Sequence, residues 1–137
     1  MIVTKEYLNR LTYQVLGCAI EVHRDLGPGL LESIYEKCFI HELRLKGISH
    51  KNQLIIPIKY KGYMLDAQLR LDVLIEDILC VELKAQDGLL PIHEAVLLSY
   101  MQLLNKPKGI LINFNCINIF KSGQKTLVNK YFSALPD

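Results

Sequence analysis

The chain has 137 residues, half of them hydrophobic, with a formal net charge of +2; it is long enough to bury a core without disulfide or metal staples and too apolar for a disordered segment. No apolar run approaches a membrane span, and the N-terminal Met-Ile-Val-Thr-Lys-Glu lacks the cationic and then apolar layout of a signal peptide, so a soluble cytoplasmic protein with no membrane partner is expected. Cys18, Cys38, Cys80 and Cys116 lie far apart among apolar neighbours and form no CxxC pair, which points to buried thiols rather than zinc ligands or disulfides.

Residues 5–23 place Leu8, Leu11, Val15, Cys18, Ala19 and Val22 at spacings of three and four, the stripe of an amphipathic helix with Thr4 as its cap. It is expected to end near Asp25, because Leu26-Gly27-Pro28-Gly29 breaks a helix. A second helix is expected from about Leu30 to Lys46, with Leu31, Ile34, Tyr35, Cys38 and Leu43 inward and Gly47 as its stop. Glu32 falls in its first turn, where the helix dipole by itself favours a carboxylate. From Ile48 to Tyr60 the pattern is that of a strand, with Pro57 marking an edge or bulge and Lys61-Gly62 turning the chain toward Tyr63.

Residues 68–84 hold two alternating segments with charges on otherwise apolar strands. Leu69, Leu71, Val73 and Ile75 share one predicted face and Gln68, Arg70 and Asp72 the other; Leu79, Val81 and Leu83 then oppose Cys80, Glu82 and Lys84. Matching the apolar faces in a hairpin requires an odd loop, and a three-residue loop of Glu76, Asp77 and Ile78 sets Val73 opposite Val81 and Asp72 opposite Glu82. Two carboxylates at neighbouring cross-strand positions repel unless a positive charge stands between them, a need that a divalent cation and the Lys84 ammonium would answer.

After the polar loop Gln86-Asp87-Gly88, Pro91 opens a third helix with Ile92, Val96, Tyr100 and Leu103 on one stripe, closed by Asn105-Lys106-Pro107. Gly109 to Phe114 reads as a buried strand, Cys116 to Lys121 as its neighbour, and Leu127 to Phe132 as a short helix. The order αα, three or four antiparallel strands, α, β, without repeat or linker, predicts one mixed α/β domain over residues 1–137. From Ala95 onward the charged residues are Lys106, Lys108, Lys121, Lys125 and Lys130 against Asp137. The first four suit a surface meeting phosphates, and equally a solvated edge that resists aggregation.

The stretch Gly29-Leu-Leu-Glu32-Ser-Ile-Tyr35, preceded by Val22-His23-Arg24-Asp25-Leu26-Gly27-Pro28, resembles the GxxExxY family, a branch of the PD-(D/E)XK nuclease superfamily. The resemblance runs from Leu11 to about Phe120 and includes Glu42-Leu43-Arg44-Leu45-Lys46-Gly47-Ile48, Val81-Glu82-Leu83-Lys84-Ala85 and Leu111-Ile112-Asn113-Phe114. It implies a restriction-endonuclease-like core, a central mixed sheet flanked by helices. It also implies a nuclease in which Asp72 and Glu82 bind Mg²⁺ or Mn²⁺, Glu32 completes the metal shell, and Lys84 assists attack by water on DNA rather than RNA. His23, Tyr35 and Tyr100 belong to the same pattern as accessory residues: His23 divides evenly between a helix-end contact and a site role, and Tyr35 is expected in the core with its hydroxyl fixing a neighbour.

Two positions depart from the pattern. Leu71 stands where the superfamily name has proline, and Val96 stands where relatives carry a glutamine four residues before a tyrosine, here Tyr100; His93 and Glu94 lie one turn away. The rival expectation is a catalytically silent member that binds nucleic acid or another protein. Substrate structure, polarity of cleavage, and a homo-oligomer or protein partner are left open by the sequence.

Overall fold

A computed structural model describes residues 2–66 and 68–137; of the expected domain, Met1 and Ala67 lie outside the described residues. Helix α1, Lys5–Leu26, starts where Thr4 Oγ1 accepts the Tyr7 N–H at 3.0 Å and stops at Gly27, whose φ of 67° suits glycine and whose N–H returns to the His23 carbonyl at 2.8 Å. Helix α2, Glu32–Leu45, follows the Gly-Pro-Gly turn. It buries Tyr35, Phe39, Ile40 and Leu43. Leu31 and Ile34, expected inward, are exposed, Leu31 to 73%, because the helix begins one residue after Leu31 and its stripe is set by Tyr35 and Phe39.

The strands are β1 His50–Ile56, β2 Lys59–Tyr60, β3 Tyr63–Met64, β4 Leu69–Ile75, β5 Leu79–Lys84, β6 Lys108–Asn113 and β7 Gln124–Val128. Pro57 ends β1, so the single strand expected to reach Tyr60 becomes two elements, the second a small β2–β3 ribbon of its own. The main sheet runs β1-β4-β5-β6-β7 and is mixed: β5 and β6 are parallel, and the other neighbours are antiparallel. Helix α3, Pro91–Leu104, makes the crossover between the two parallel strands. Residues 116–118 are not a strand. Asn118 caps a four-residue helix α4, Ile119–Ser122, and the edge partner of β6 is β7, with α5, Lys130–Ser133, closing the chain.

Two apolar layers sandwich this sheet. Val73, Ile75, Leu79, Val81, Leu83, Ile110 and Ile112 pack under α1 and α2, while Leu74, Cys80 and Leu111 pack under Leu97 and Met101 of α3. The inward stripe of α3 is therefore Leu97 and Met101, not Ile92 and Leu103, which are exposed; the side chain at Gly109 is absent where Met101 and Leu97 press on β6. Among the described residues no helix is long and apolar enough to cross a membrane.

Tyr35 links the two helices to the sheet. Its ring stacks on Phe114 at 4.5 Å between centroids and 4° between planes, and the Phe114 N–H donates to the Lys84 carbonyl at 2.9 Å. Its hydroxyl donates to the Gly27 carbonyl at 2.6 Å and accepts the Leu30 N–H at 3.1 Å, which fixes the turn that presents Glu32. Tyr35→Phe keeps the stack and strands both backbone groups. Urea unfolding is expected to show a loss of about 1–3 kcal/mol with the slope unchanged.

Candidate active site

The β4–β5 hairpin has the expected three-residue loop and register, with Ile75, Leu74 and Val73 opposite Leu79, Cys80 and Val81. The backbone ladder stops there. In place of the next rung Glu82 Oε1 accepts the Asp72 N–H at 2.9 Å, and Asp72 Oδ2 accepts the Leu83 N–H at 2.8 Å. The two carboxylates thus stand between the strands they belong to, each held by a backbone amide across the gap.

On its other side β4 also skips a rung. Asn52 pairs with Val73 and Leu54 with Leu71, but Gln53, at φ 52°, does not pair with Asp72. The alternation inverts at this point. Leu69 and Leu71 join the α3 layer while Val73 and Ile75 stay under α1 and α2, which corrects the expected single face for these four residues. A left-handed residue stands opposite Asp72 at this point, where carboxylates take over the backbone donors.

Two further carboxyl groups approach from α2. Glu32 is its first residue and is exposed; Glu36, one turn on, accepts from Gln53 Nε2 at 2.8 Å, and the same nitrogen donates to Asp72 Oδ1 at 3.3 Å. Burial raises the proton affinity of all of them, and repulsion from neighbouring carboxylates adds to it at Glu32, Glu36 and Glu82. Glu82, only 7% exposed, is pushed up to about 8 by burial first and the Asp72 charge second, against the pull of the Asp72 amide and Lys84. Asp72 is raised by burial although the Leu83 amide, Gln53 and Lys84 all act to lower it. Glu32 and Glu36 are raised by burial and then by the Asp72 charge, and Lys84 partly offsets this at Glu32. Tyr100 on α3, which packs on the other face of the sheet from α2, is raised by burial and by the charges of Glu82 and Asp72.

Glu32, Asp72, Glu82 and Lys84 are thus neighbours in one electrostatic cluster at the end of the β4–β5 gap, with Tyr100 beside it. Glu36 and Gln53 are members that the sequence reading missed. Glu36 had a signal, since a spacing of four from Glu32 puts both on one helix face; Gln53 had none, because its role depends on the β1–β4 register.

The donor set suits a hard divalent cation: carboxylate oxygens are its preferred ligands, and a cation would relieve the repulsion. Among the described residues no three His, Cys, Asp or Glu side chains converge on one point as they stand, and Asp72 and Glu82 each spend a lone pair on a backbone amide.

A family model described as PD-(D/E)XK nuclease superfamily matches residues 9–126. The chain belongs to this superfamily. No curated protein matches it. Among solved structures, the crystal structure of SSO0001 is similar in fold, with 20% identity and a TM-score of 0.51 over 71% of this chain; the match spans 49% of that protein's length. The five-stranded mixed sheet flanked by helices is accordingly a PD-(D/E)XK restriction-endonuclease-like fold, and nucleases of this superfamily usually use divalent metal ions.

The remaining candidates of this PD-(D/E)XK chain are more dispersed. His23 Nε2 donates to the Cys116 carbonyl at 2.8 Å, tying the end of α1 to the loop after β6, and Tyr35 lies in the core as expected. His93 Nδ1 accepts the Leu90 N–H at 2.9 Å and Glu94 lies 3.9 Å from Lys125, so both are engaged at the start of α3. The four lysines do not form one surface. Lys106 lies 3.5 Å from Asp77 at the hairpin loop, and Lys108, opposite Leu79 at that same far end of the sheet, is 5% exposed, bonds Asn9 Oδ1 at 2.8 Å and lies over the Phe132 ring. This pair lies at the end of β5 remote from Lys84, and Lys108 is buried, so the four lysines expected on one surface are split between two places. Lys121 and Lys125 are exposed, and Lys125 lies level with Glu82 across β6.

The raised Glu82 group makes stability depend on pH. Folded protein holds a proton on Glu82 between its ordinary value of 4.5 and about 8, so the stabilisation is fully present below 4.5 and lost as the pH rises through about 8. Glu82→Gln keeps the acceptor for the Asp72 N–H and removes the titration. In thermal melts of metal-free protein, the Tm of Glu82→Gln relative to wild type is expected to climb as the pH rises through that window.

Proposed function

We propose that the chain is a divalent-cation-dependent phosphodiesterase acting on DNA, a member of the GxxExxY branch whose residues 1–137 work as one nuclease domain. The observation that carries this is the Asp72–Glu82 pair, two carboxylates turned into the gap between neighbouring strands with their proton affinities raised and Lys84 acting on both. In the proposal Asp72 and Glu82 hold Mg²⁺ or Mn²⁺ and Glu32 joins them from the start of α2. A cation bound there lowers the pKa of a coordinated water and neutralises charge on the phosphodiester. Lys84, two residues beyond Glu82 on the same face, orients the attacking water with its ammonium and offsets negative charge developing on the phosphate. Lys121 and Lys125 supply contacts to the backbone of the nucleic acid.

Millimolar Mn²⁺ is expected to raise the Tm, since a ligand bound by the native state alone stabilises it by about 2.7 kcal/mol at 100 times Kd. The double variant Asp72→Asn with Glu82→Gln should lose that shift. Absence of a shift in the wild type would instead favour a silent binding module.

Lys84→Met is expected to keep the Mn²⁺ shift while plasmid or single-strand cleavage falls about 10²- to 10³-fold, the loss typical of removing one positioned group that stabilises developing charge. Cleavage at the wild-type rate would remove Lys84 from catalysis. In gel shifts across a salt series, Lys121→Ser and Lys125→Ser should each flatten the slope of log affinity against log salt by about 0.9 for every phosphate that the variant no longer neutralises. An unchanged slope would remove these two lysines from the interface.

A further inference from the structure

Gln53 combines three features that packing alone does not explain. It is a residue other than glycine at φ 52°, inside a strand, a conformation that costs of order 1–3 kcal/mol. It lies opposite Asp72 at the skipped rung of the β1–β4 ladder, with regular pairs on either side. Its amide nitrogen, with two hydrogens to give, reaches Glu36 Oε1 at 2.8 Å and Asp72 Oδ1 at 3.3 Å. A regular strand would orient residue 53 by the pleat alone; the left-handed turn at this one position goes with an amide aimed at Asp72.

We propose that Gln53 is a positioning residue of the site: anchored by Glu36, its amide fixes the Asp72 carboxylate in the orientation that receives a divalent cation. The inference rests on the metal-dependent reading given above. Asp72 is then held at both oxygens, Oδ2 by the Leu83 amide and Oδ1 by Gln53, so the direction of its remaining lone pairs is set before any ion arrives. Glu36 has a different task from Glu32. It accepts the shorter of the two bonds from Gln53 and serves as a fixed acceptor, a task that a neutral amide oxygen can also perform.

Calorimetric titration with Mn²⁺, together with melts of the metal-free protein, tests this. Gln53→Gly relieves the positive φ and deletes the amide, whereas Gln53→Asn tolerates the same backbone with an amide one methylene too short. Both are expected to melt at or above the wild-type temperature and to bind Mn²⁺ about 10- to 100-fold more weakly, the usual effect of removing a group that orients a metal ligand. A merely structural glutamine predicts the opposite pattern, a lower Tm with unchanged affinity. Glu36→Gln should bind within about threefold of wild type, and Glu36→Ala should match the Gln53 variants in its loss. Equal losses in Glu36→Gln and Glu36→Ala would overturn the anchoring role. A wild type that binds Mn²⁺ no better than Gln53→Asn does would overturn the role of Gln53 alone, and a wild type that takes up no Mn²⁺ would overturn the nuclease reading along with it.

Discussion

The exchange of backbone for carboxylate between β4 and β5 is the constraint on which the rest of the structure depends. A strand at the centre of a sheet has its amides committed on both sides, and a buried carboxylate there normally has no donor to meet. Asp72 and Glu82 solve both problems together by ending the ladder one rung early and accepting the amides it would have used. The gap is opened with both amides still bonded, and two acidic groups are left at its mouth facing each other. Three features answer that repulsion: Lys84 two residues on, the Gln53 amide from the next strand, and the partial protonation that burial enforces.

The other elements serve to hold this gap at the edge of two apolar layers. The Tyr35–Phe114 stack fixes α2 to the ends of β5 and β6, and the same tyrosine's hydroxyl fixes the turn before Glu32. Asn113, 2% exposed, accepts the Gln86 and Asn115 amides and donates to the Gln86 carbonyl, tying the chain that leaves Lys84 to the chain that leaves β6. Both devices are conformational: they cost the chain freedom in loops that lie next to the carboxylates, and so reduce the motion that would otherwise blur the positions of the cluster.

Much of this was legible in residue order. The hairpin register follows from a period of two and the refusal of a carboxylate to enter a core, and the helices α1 and α2 follow from a period near four with a cap at Thr4 and glycines at the ends. What escaped has a physical reason in each case. Leu71 looks like a member of the Val73 and Ile75 face because nothing in the sequence announces the inversion at Asp72, which lies opposite a left-handed residue, Gln53, on another strand. Residues 116–121 alternate like a strand, yet Asn118 accepts the Lys121 N–H and starts a helix instead, a local bond that outcompetes a ladder. Lys108 looks like a surface charge, but a strand with both faces covered carries it to Asn9 and the Phe132 ring, where burial lowers its proton affinity.

Along one face of β5 the environment changes from dry to wet in four residues, and this gradient accounts for where chemistry can occur. Cys80 is fully buried and its thiol is pushed up to about 12, which leaves it inert as a nucleophile or ligand at neutral pH. Glu82, two residues on, is still nearly buried but reaches the gap, where it accepts the Asp72 amide and its proton affinity is pushed up to about 8. Lys84, two further on, is half-buried at the strand end. A carboxylate at the position of Cys80 would be desolvated more deeply than Glu82 is, and one at the position of Lys84 less so. Position 82 is the point on this strand where burial is large enough to raise the proton affinity of a carboxyl group while its side chain still reaches the gap.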